Sequence, residues 1–393
     1  MAKIYLKKNE DRRLLAGHQW VFSNEIKKIE DFVTNGEVSE LFTENGRFLG
    51  KGFYNKNSLI AYRHITDKDE IIDKKFILKK INNANSLRKL YRESGNVYRI
   101  VNSESDFLPG LIIDKFGDRY SIQIFSLGME SYLEDIVNIL KEYFKAKLIV
   151  EKNDNDLRKL EGLEKREGII FSEMPSNEFI FTEEIDGIKF KFDLINGQKT
   201  GFYLDQRRSR KIVGKYIHDR HCVLDLFCNE GGFAITCVFE GANEITAVDS
   251  SEHSIKMAKE NAALNSAERI NFICSDVFEY LNGLFQSDKK YDVIILDPPS
   301  FTKSRKNLVS ALKGYEELNT KCMRLLKTNS LLFTFSCSHH ISEKTFEDVI
   351  VKSSLSSKRK IRILESINCS FDHPVIPQMN ETKYLKGYLL NVK

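Results

Sequence analysis

The chain has 393 residues, enough for two or three compact units at about 150 residues each, which excludes a single small module. Hydrophobic residues make up 41% and charged residues 30%, a composition that buries a core and excludes a chain that stays unfolded. Formal charge is only +4, so a nucleic-acid surface has to come from local clustering.

No run of about 18 apolar residues occurs, and the opening residues Met1 to Lys8 lack the apolar stretch of a secretory signal. A cytoplasmic protein without a membrane partner is expected. All seven cysteines lie after position 221 and none forms a Cys-x-x-Cys pair. Reduced thiols are therefore expected, with neither a disulfide scaffold nor a metal site.

In chain order, residues 1–70 read as a small β-rich domain, with turn signals at Asn35-Gly36 and Asn45-Gly46 and glycines inside Phe48-Leu49-Gly50-Lys51-Gly52-Phe53-Tyr54. Lys7, Lys8, Arg12 and Arg13 gather near Gly17-His18-Gln19-Trp20. Cations beside a flat ring suit looped or single-stranded RNA, where phosphates need charge and unstacked bases need a stacking partner. A solvated loop beside a core tryptophan is the other reading. Residues 71–185 read as a central α/β domain. It opens with a charged helical pattern over Asp69 to Arg92, in which Ile71, Ile72, Phe76, Ile77, Ile81 and Leu87 recur at helical intervals. The acids of Asn102-Ser103-Glu104-Ser105-Asp106 are expected to cap turns.

Residues 186–393 repeat strand, turn and helix, with apolar strands at Val223 to Phe227, Ile245 to Asp249, Ile270 to Cys274, Tyr291 to Leu296 and Leu331 to Phe335. This pattern predicts a doubly wound, Rossmann-like α/β domain. In such a sheet the ligand sits at the carboxyl ends of the strands, where Asp225 and, 24 positions on, Asp249 stand. Asp249 is placed to accept the ribose hydroxyls of an adenosine. The turn Phe227-Cys228-Asn229-Glu230-Gly231-Gly232 lacks the Gly-x-Gly-x-x-Gly spacing, and Glu230 would repel a pyrophosphate. The cationic end of S-adenosylmethionine (SAM) suits Asp225 better than NAD does, and Asp276 is positioned for the adenine amino group. Asn196 to Arg207, containing Phe202, Leu204 and Gln206, reads as a lid over the cofactor. Arg207, Arg208 and Arg210 either reach phosphates or line a solvated helix face.

Asp297-Pro298-Pro299-Ser300-Phe301 ends the fourth strand. Its prolines hold the backbone extended, so that Asp297 and nearby carbonyls can face a planar base and Phe301 can stack on it. Cys337, in Ser336-Cys337-Ser338-His339-His340, ends the next strand and faces the same crevice. A thiolate there is the nucleophile that methylation of a pyrimidine carbon requires. His339 and His340 either supply positive charge or lie on the surface. The other six cysteines are expected to be small core residues.

These motifs resemble one family nearly end to end: the bacterial large-subunit ribosomal RNA (cytosine-5)-methyltransferases that join an N-terminal PUA domain to a class I methyltransferase. The resemblance rests on Gly17 to Phe22, Asp106 to Asp114, Gln198 to Arg207, Asp225-Leu226-Phe227, Asp297-Pro298-Pro299, Ser336-Cys337-Ser338 and Asp372-His373-Pro374-Val375. It implies a PUA-like first domain, the family's α/β insert, and a fold in which Cys337 is the nucleophile and Asp297 works beside it. It also implies SAM bound by Asp225, Phe227, Asn229, Gly231, Asp249, Asp276, Asp297, Phe202, Leu204 and Gln206. RNA would be met by Lys7, Arg12, Arg13, Trp20, Pro298, Phe301 and Arg207. The implied partner is 23S rRNA or a large-subunit assembly intermediate, and a homodimer is allowed. Ser300 and His339-His340 depart from the family's commoner residues. Two rival readings are an rRNA guanine (N7 or N2) methyltransferase, which would not need Cys337, and a ribosome assembly factor that holds SAM without turnover.

Overall fold

In the computed structural model, alternation decides the first sheet. Along β1 (Lys3–Leu6), Ile4 and Leu6 are fully buried and Lys3 is exposed, the period of two that a one-faced strand requires. β1 is joined by β2 (Trp20–Val21), β3 (Ile26–Glu30), β4 (Val38–Phe42), β5 (Phe48–Tyr54) and β6 (Tyr62–Thr66), in the order β2-β6-β5-β4-β1-β3. The structure describes residues 1–91, 95–197, 199–302 and 307–393. Arg92 of the predicted helix and Gln198 of the lid sequence lie outside them.

The helix expected from Asp69 starts later, at Lys74–Lys89. Asp73 stops it from starting earlier: its carboxylate accepts the Phe76 N–H at 2.8 Å and so caps the first turn. Ile71 therefore precedes the helix and is exposed. A five-stranded sheet follows, built from β7 (Val97–Asn102), β8 (Leu111–Phe116), β9 (Arg119–Ile124), β10 (Leu148–Asn153) and β11 (Arg166–Ser172), in the order β11-β10-β9-β8-β7. Phe53 and Ile65 of the first sheet share one core with Phe76, Ile113, Tyr120 and Ile139. This common core is the physical reason that both sheets fall into one compact unit, made of Met1–Asp186, Phe192–Leu204 and Phe371–Thr382.

A buried ionic chain reinforces that unit. Arg88, fully buried, binds both oxygens of Asp106 and also donates to the carbonyls of Arg99 and Asp372. Arg99 in turn grips Asp114 at 2.7 and 2.9 Å, and its backbone N–H donates to Asp372. Burial works to raise the Asp372 carboxyl, but His373 and the Arg99 N–H hold it below the usual value.

A hairpin of β12 (Ile180–Ile185) and β13 (Ile188–Asp193) leads on. The second unit comprises Gly187–Lys191, Asp205–Ser370 and Lys383–Lys393. Its seven strands are β14 (Cys222–Leu226), β15 (Glu244–Asp249), β16 (Asn271–Cys274), β17 (Tyr291–Leu296), β18 (Leu326–Ser336), β19 (Ile361–Ile367) and β20 (Lys386–Val392). They are ordered β16-β15-β14-β17-β18-β20-β19, with β14 to β18 parallel and β20 antiparallel to both its neighbours. This is the doubly wound sheet that the apolar strands predict, with its change of direction between β14 and β17. Among the described residues no helix is long and apolar enough to cross a membrane.

Candidate active site of the second unit

The site is built at the carboxyl ends of β14, β15 and β17. Asp225 is fully buried, and one of its oxygens accepts the Ala234 N–H at 3.1 Å, while the other has no partner among the described residues. Burial first, and the neighbouring Asp297 second, push this carboxyl up to about 8. After β14 the chain turns through left-handed backbone at Phe227 (φ 64°), Asn229 (φ 46°) and Gly231 (φ 82°). Glycine adopts that conformation freely. The two side-chain-bearing residues need outside support. It comes from bonds on either side of Phe227 and Asn229: Asn229 N–H donates to Asp249 at 2.9 Å, and Cys228 N–H donates to the Val248 carbonyl at 3.0 Å.

The other Asp249 oxygen accepts the Ser251 N–H at 2.9 Å. Asp276 is exposed and caps the helix Val277–Leu284 through Glu279 N–H at 3.0 Å. Asp297 is half-buried, and its N–H reaches the Leu226 carbonyl at 3.3 Å, which ties the end of β17 to β14. The spare oxygen of Asp225 is what a ligand's ammonium group would satisfy, and the second strand's acid has capacity left for hydroxyl donors. The residues fit SAM.

Cys337 follows β18 and is half-buried, with Sγ 3.7 Å from the Pro298 carbonyl oxygen. Of the proline pair, Pro298 is buried and Pro299 exposed. Phe301 is half-buried, with its ring 4.7 Å from that of Tyr315 and 6.3 Å from that of Phe278, so it already has aromatic partners within the protein. His339 and His340 are exposed, and the His339 ring lies 5.3 Å from that of Tyr384. Cys228, Cys237, Cys322 and Cys369 are buried as expected for core residues. Cys222 is half-buried and Cys274 exposed, against that expectation, because each lies at an end of its strand.

Arg207 is buried at 3% exposure and so offers its guanidinium no open surface to a phosphate. Gln206 is buried as well. Phe202 and Leu204, both buried, belong to the first unit, where the Phe202 ring packs 5.2 Å from that of Phe192.

Also in the first unit, Lys7 and Arg12 are exposed. Lys7 donates to the Asn24 carbonyl at 2.7 Å and Arg12 to Asn9 at 3.2 Å. Arg13 pairs with Glu25 at 3.1 Å and lies over the Phe22 ring. Trp20 is half-buried: its indole N–H donates to Glu104 at 2.9 Å, and the Arg63 guanidinium sits 5.4 Å from its ring centre. Arg63 also bridges Glu104 and Glu161 at 3.0 Å each. Trp20 thus serves the seam between the two sheets.

Sequence reasoning passed over Lys386, which is 3% exposed and donates to the Ser338 and Ile341 carbonyls at 2.6 Å each, in the turn that follows Cys337. About fifty residues of chain hide that proximity. An isolated lysine inside an apolar strand, Lys386 before Gly387-Tyr388-Leu389-Leu390, is the one signal that could have shown it.

Residues 4–67 match the model of a PUA-like domain, and residues 170–348 that of an S-adenosylmethionine-dependent methyltransferase. The chain is 37% identical over 392 residues, 98% of each chain, to ribosomal RNA large subunit methyltransferase I of Tolumonas auensis. It is 36% identical over the full length of both chains to the protein of that name from Aeromonas hydrophila. A methyltransferase solved in complex with S-adenosylhomocysteine superposes over the whole of both chains with a TM-score of 0.86 at 22% identity, a likeness of fold.

Proposed function

The chain belongs to the ribosomal RNA large subunit methyltransferase I family, and from that premise we propose that it methylates carbon 5 of a cytosine in 23S rRNA through a covalent bond to Cys337. Bound SAM supplies a methyl group on a cationic sulfur. Asp225 would hold its ammonium, Asp249 its ribose hydroxyls and Asp276 its adenine amino group, with Phe227, Asn229, Gly231 and Asp297 lining the turn around it.

Cytosine C5 is too weak a nucleophile unaided. The Cys337 thiolate adds to C6, and the electron pair of the C5–C6 double bond moves to C5, which takes the methyl group. Loss of the C5 proton to a base restores the double bond and expels the thiolate. Asp297 faces the edge of the base while Cys337 attacks its plane. The target base has to leave its stack, a cost that a loop or bulge lowers. Lys7 and Arg12 are exposed cations that would meet RNA phosphates, and an rRNA substrate sets the work in the cytoplasm.

The observation that carries this reading is the 3.7 Å approach of Cys337 Sγ to the Pro298 carbonyl, which brings a half-buried thiol against the Asp297-Pro298 turn at neighbouring strand ends. The experiment is to map methylated bases across 23S rRNA from cells with and without the protein. One 5-methylcytosine should vanish with it. Loss of a methylated guanine instead would overturn the assignment.

A further inference from the structure

β20 runs antiparallel to β18 in a register that sets Lys386 opposite Ser336 and Gly387 opposite Phe335. Lys386 therefore stands one residue from Cys337 across the ladder. Gly387 allows that close pairing, because a Cβ there would lie 2.3 Å from the Phe335 ring. The Lys386 ammonium has three N–H donors, and two are spent on the Ser338 and Ile341 carbonyls of the turn that carries the thiol. A buried cation is costly unless an anion faces it. Among the described residues, the charged or titratable groups acting most on Lys386 are Cys337, Glu343, Cys369 and Lys383. Glu343 and Lys383 pair with each other at 2.7 Å, so of these described groups a sulfur is the one placed to balance the ammonium.

We propose that Lys386 is a positioning residue for methyl transfer: it clamps the turn after Cys337 by two hydrogen bonds and presents its positive charge to the thiol, holding it as the thiolate. The proposal rests on the reading of Cys337 as nucleophile and explains how a thiol with an ordinary pKa of about 8.5 is activated at neutral pH.

Among the described residues named here, no other group around the sulfur supplies that charge. Tyr315 is a phenol whose pKa burial raises first, with Cys337 and Asp297 adding to the rise. Asp297 is an acid, so it opposes a thiolate. His339 and His340 are exposed. Burial lowers Lys386 to about 8, with Cys337 acting in the opposite direction, so the ammonium is mostly charged at pH 7 and discharges above that value.

The test is alkylation of Cys337 by iodoacetamide from pH 6 to 10 in the full chain, read peptide by peptide with exposed Cys274 as internal reference. In the unsubstituted protein the apparent pKa of Cys337 should lie below 8.5. Lys386→Gln keeps two donors for the carbonyls but removes the charge. It should raise that pKa by about one unit, so that alkylation at pH 7 slows about tenfold while Cys274 and the thermal melt stay unchanged. An unchanged Cys337 profile in the Gln variant overturns the proposal. So does a value at or above 8.5 in the unsubstituted protein, a reading that holds even if the Gln variant fails to fold. Both results concern the free enzyme, whereas the cytosine assignment is read from the methylated base, so either claim can fail without the other.

Discussion

A carboxyl sealed at the end of β14 is a poor place for a negative charge until something positive arrives. With Asp225 at about 8, the unliganded protein holds a proton there at pH 7. An ammonium group bound to the spare oxygen should pull that pKa below neutrality, so SAM binding at pH 7 should release up to about one proton. Calorimetry in buffers of different ionisation enthalpy measures this, and Asp225→Asn should abolish it. The sign for stability follows from the same shift. An acid whose folded pKa lies above its unfolded value of about 3.9 stabilises the fold less as pH rises, so unliganded protein should lose melting temperature between about pH 4 and 8. The Asn variant should lose less. At Asp249 the expected result of Asp249→Ala is weaker cofactor binding, and an unchanged Kd would count against the ribose assignment. Arg88 makes a structural prediction. Arg88→Met would leave the buried Asp106 without its guanidinium, with only the Asn102 N–H donating to it, at a cost of about 3–5 kcal/mol measurable by urea unfolding.

β20 shows what an element contributes beyond its residues. A methyl at position 387 would press on a Phe335 ring that is itself stacked on Phe233 at 5.8 Å, so neither ring has room to give way. Gly387→Ala should destabilise the protein by about 1–3 kcal/mol, and it should slow methylation further by shifting the Lys386 turn. If denaturation midpoint and rate are both unchanged, the packing account of this strand is wrong. The parallel strands were legible because a strand buried on both faces is a plain apolar run, and an acid at its end stands out. Asp225, Asp249 and Asp297 could all be read that way. Two things stayed hidden because the partner lies far along the chain: the Glu104 that takes the Trp20 N–H is 84 residues away, and Lys386 reaches the turn after Cys337 only through an antiparallel register. The Asp372 motif was visible as a pattern, but its role as a tie to Arg99 and Arg88, more than 270 residues back, needed the fold.

On the scale of the whole molecule, a net charge of +4 leaves affinity for RNA to local cations. Lys7 and Arg12 are exposed, whereas Arg207 is buried and Arg13 is held by Glu25. Replacing Lys7 and Arg12 together by alanine should weaken rRNA binding and flatten its salt dependence by about one unit of log–log slope for each phosphate no longer neutralised. The same change at Arg207 should leave that slope alone. An equal slope for both variants would remove the first domain from the RNA interface. The account turns on the sulfur of Cys337, and the direct measurement is to offer the enzyme and SAM an rRNA fragment whose cytosines carry fluorine at C5. The final elimination then has no proton to lose. A denaturant-stable protein–RNA adduct should accumulate and map to Cys337, and it should be absent in Cys337→Ala. An adduct on any other residue, or full methylation of unmodified rRNA by Cys337→Ala, would contradict the account.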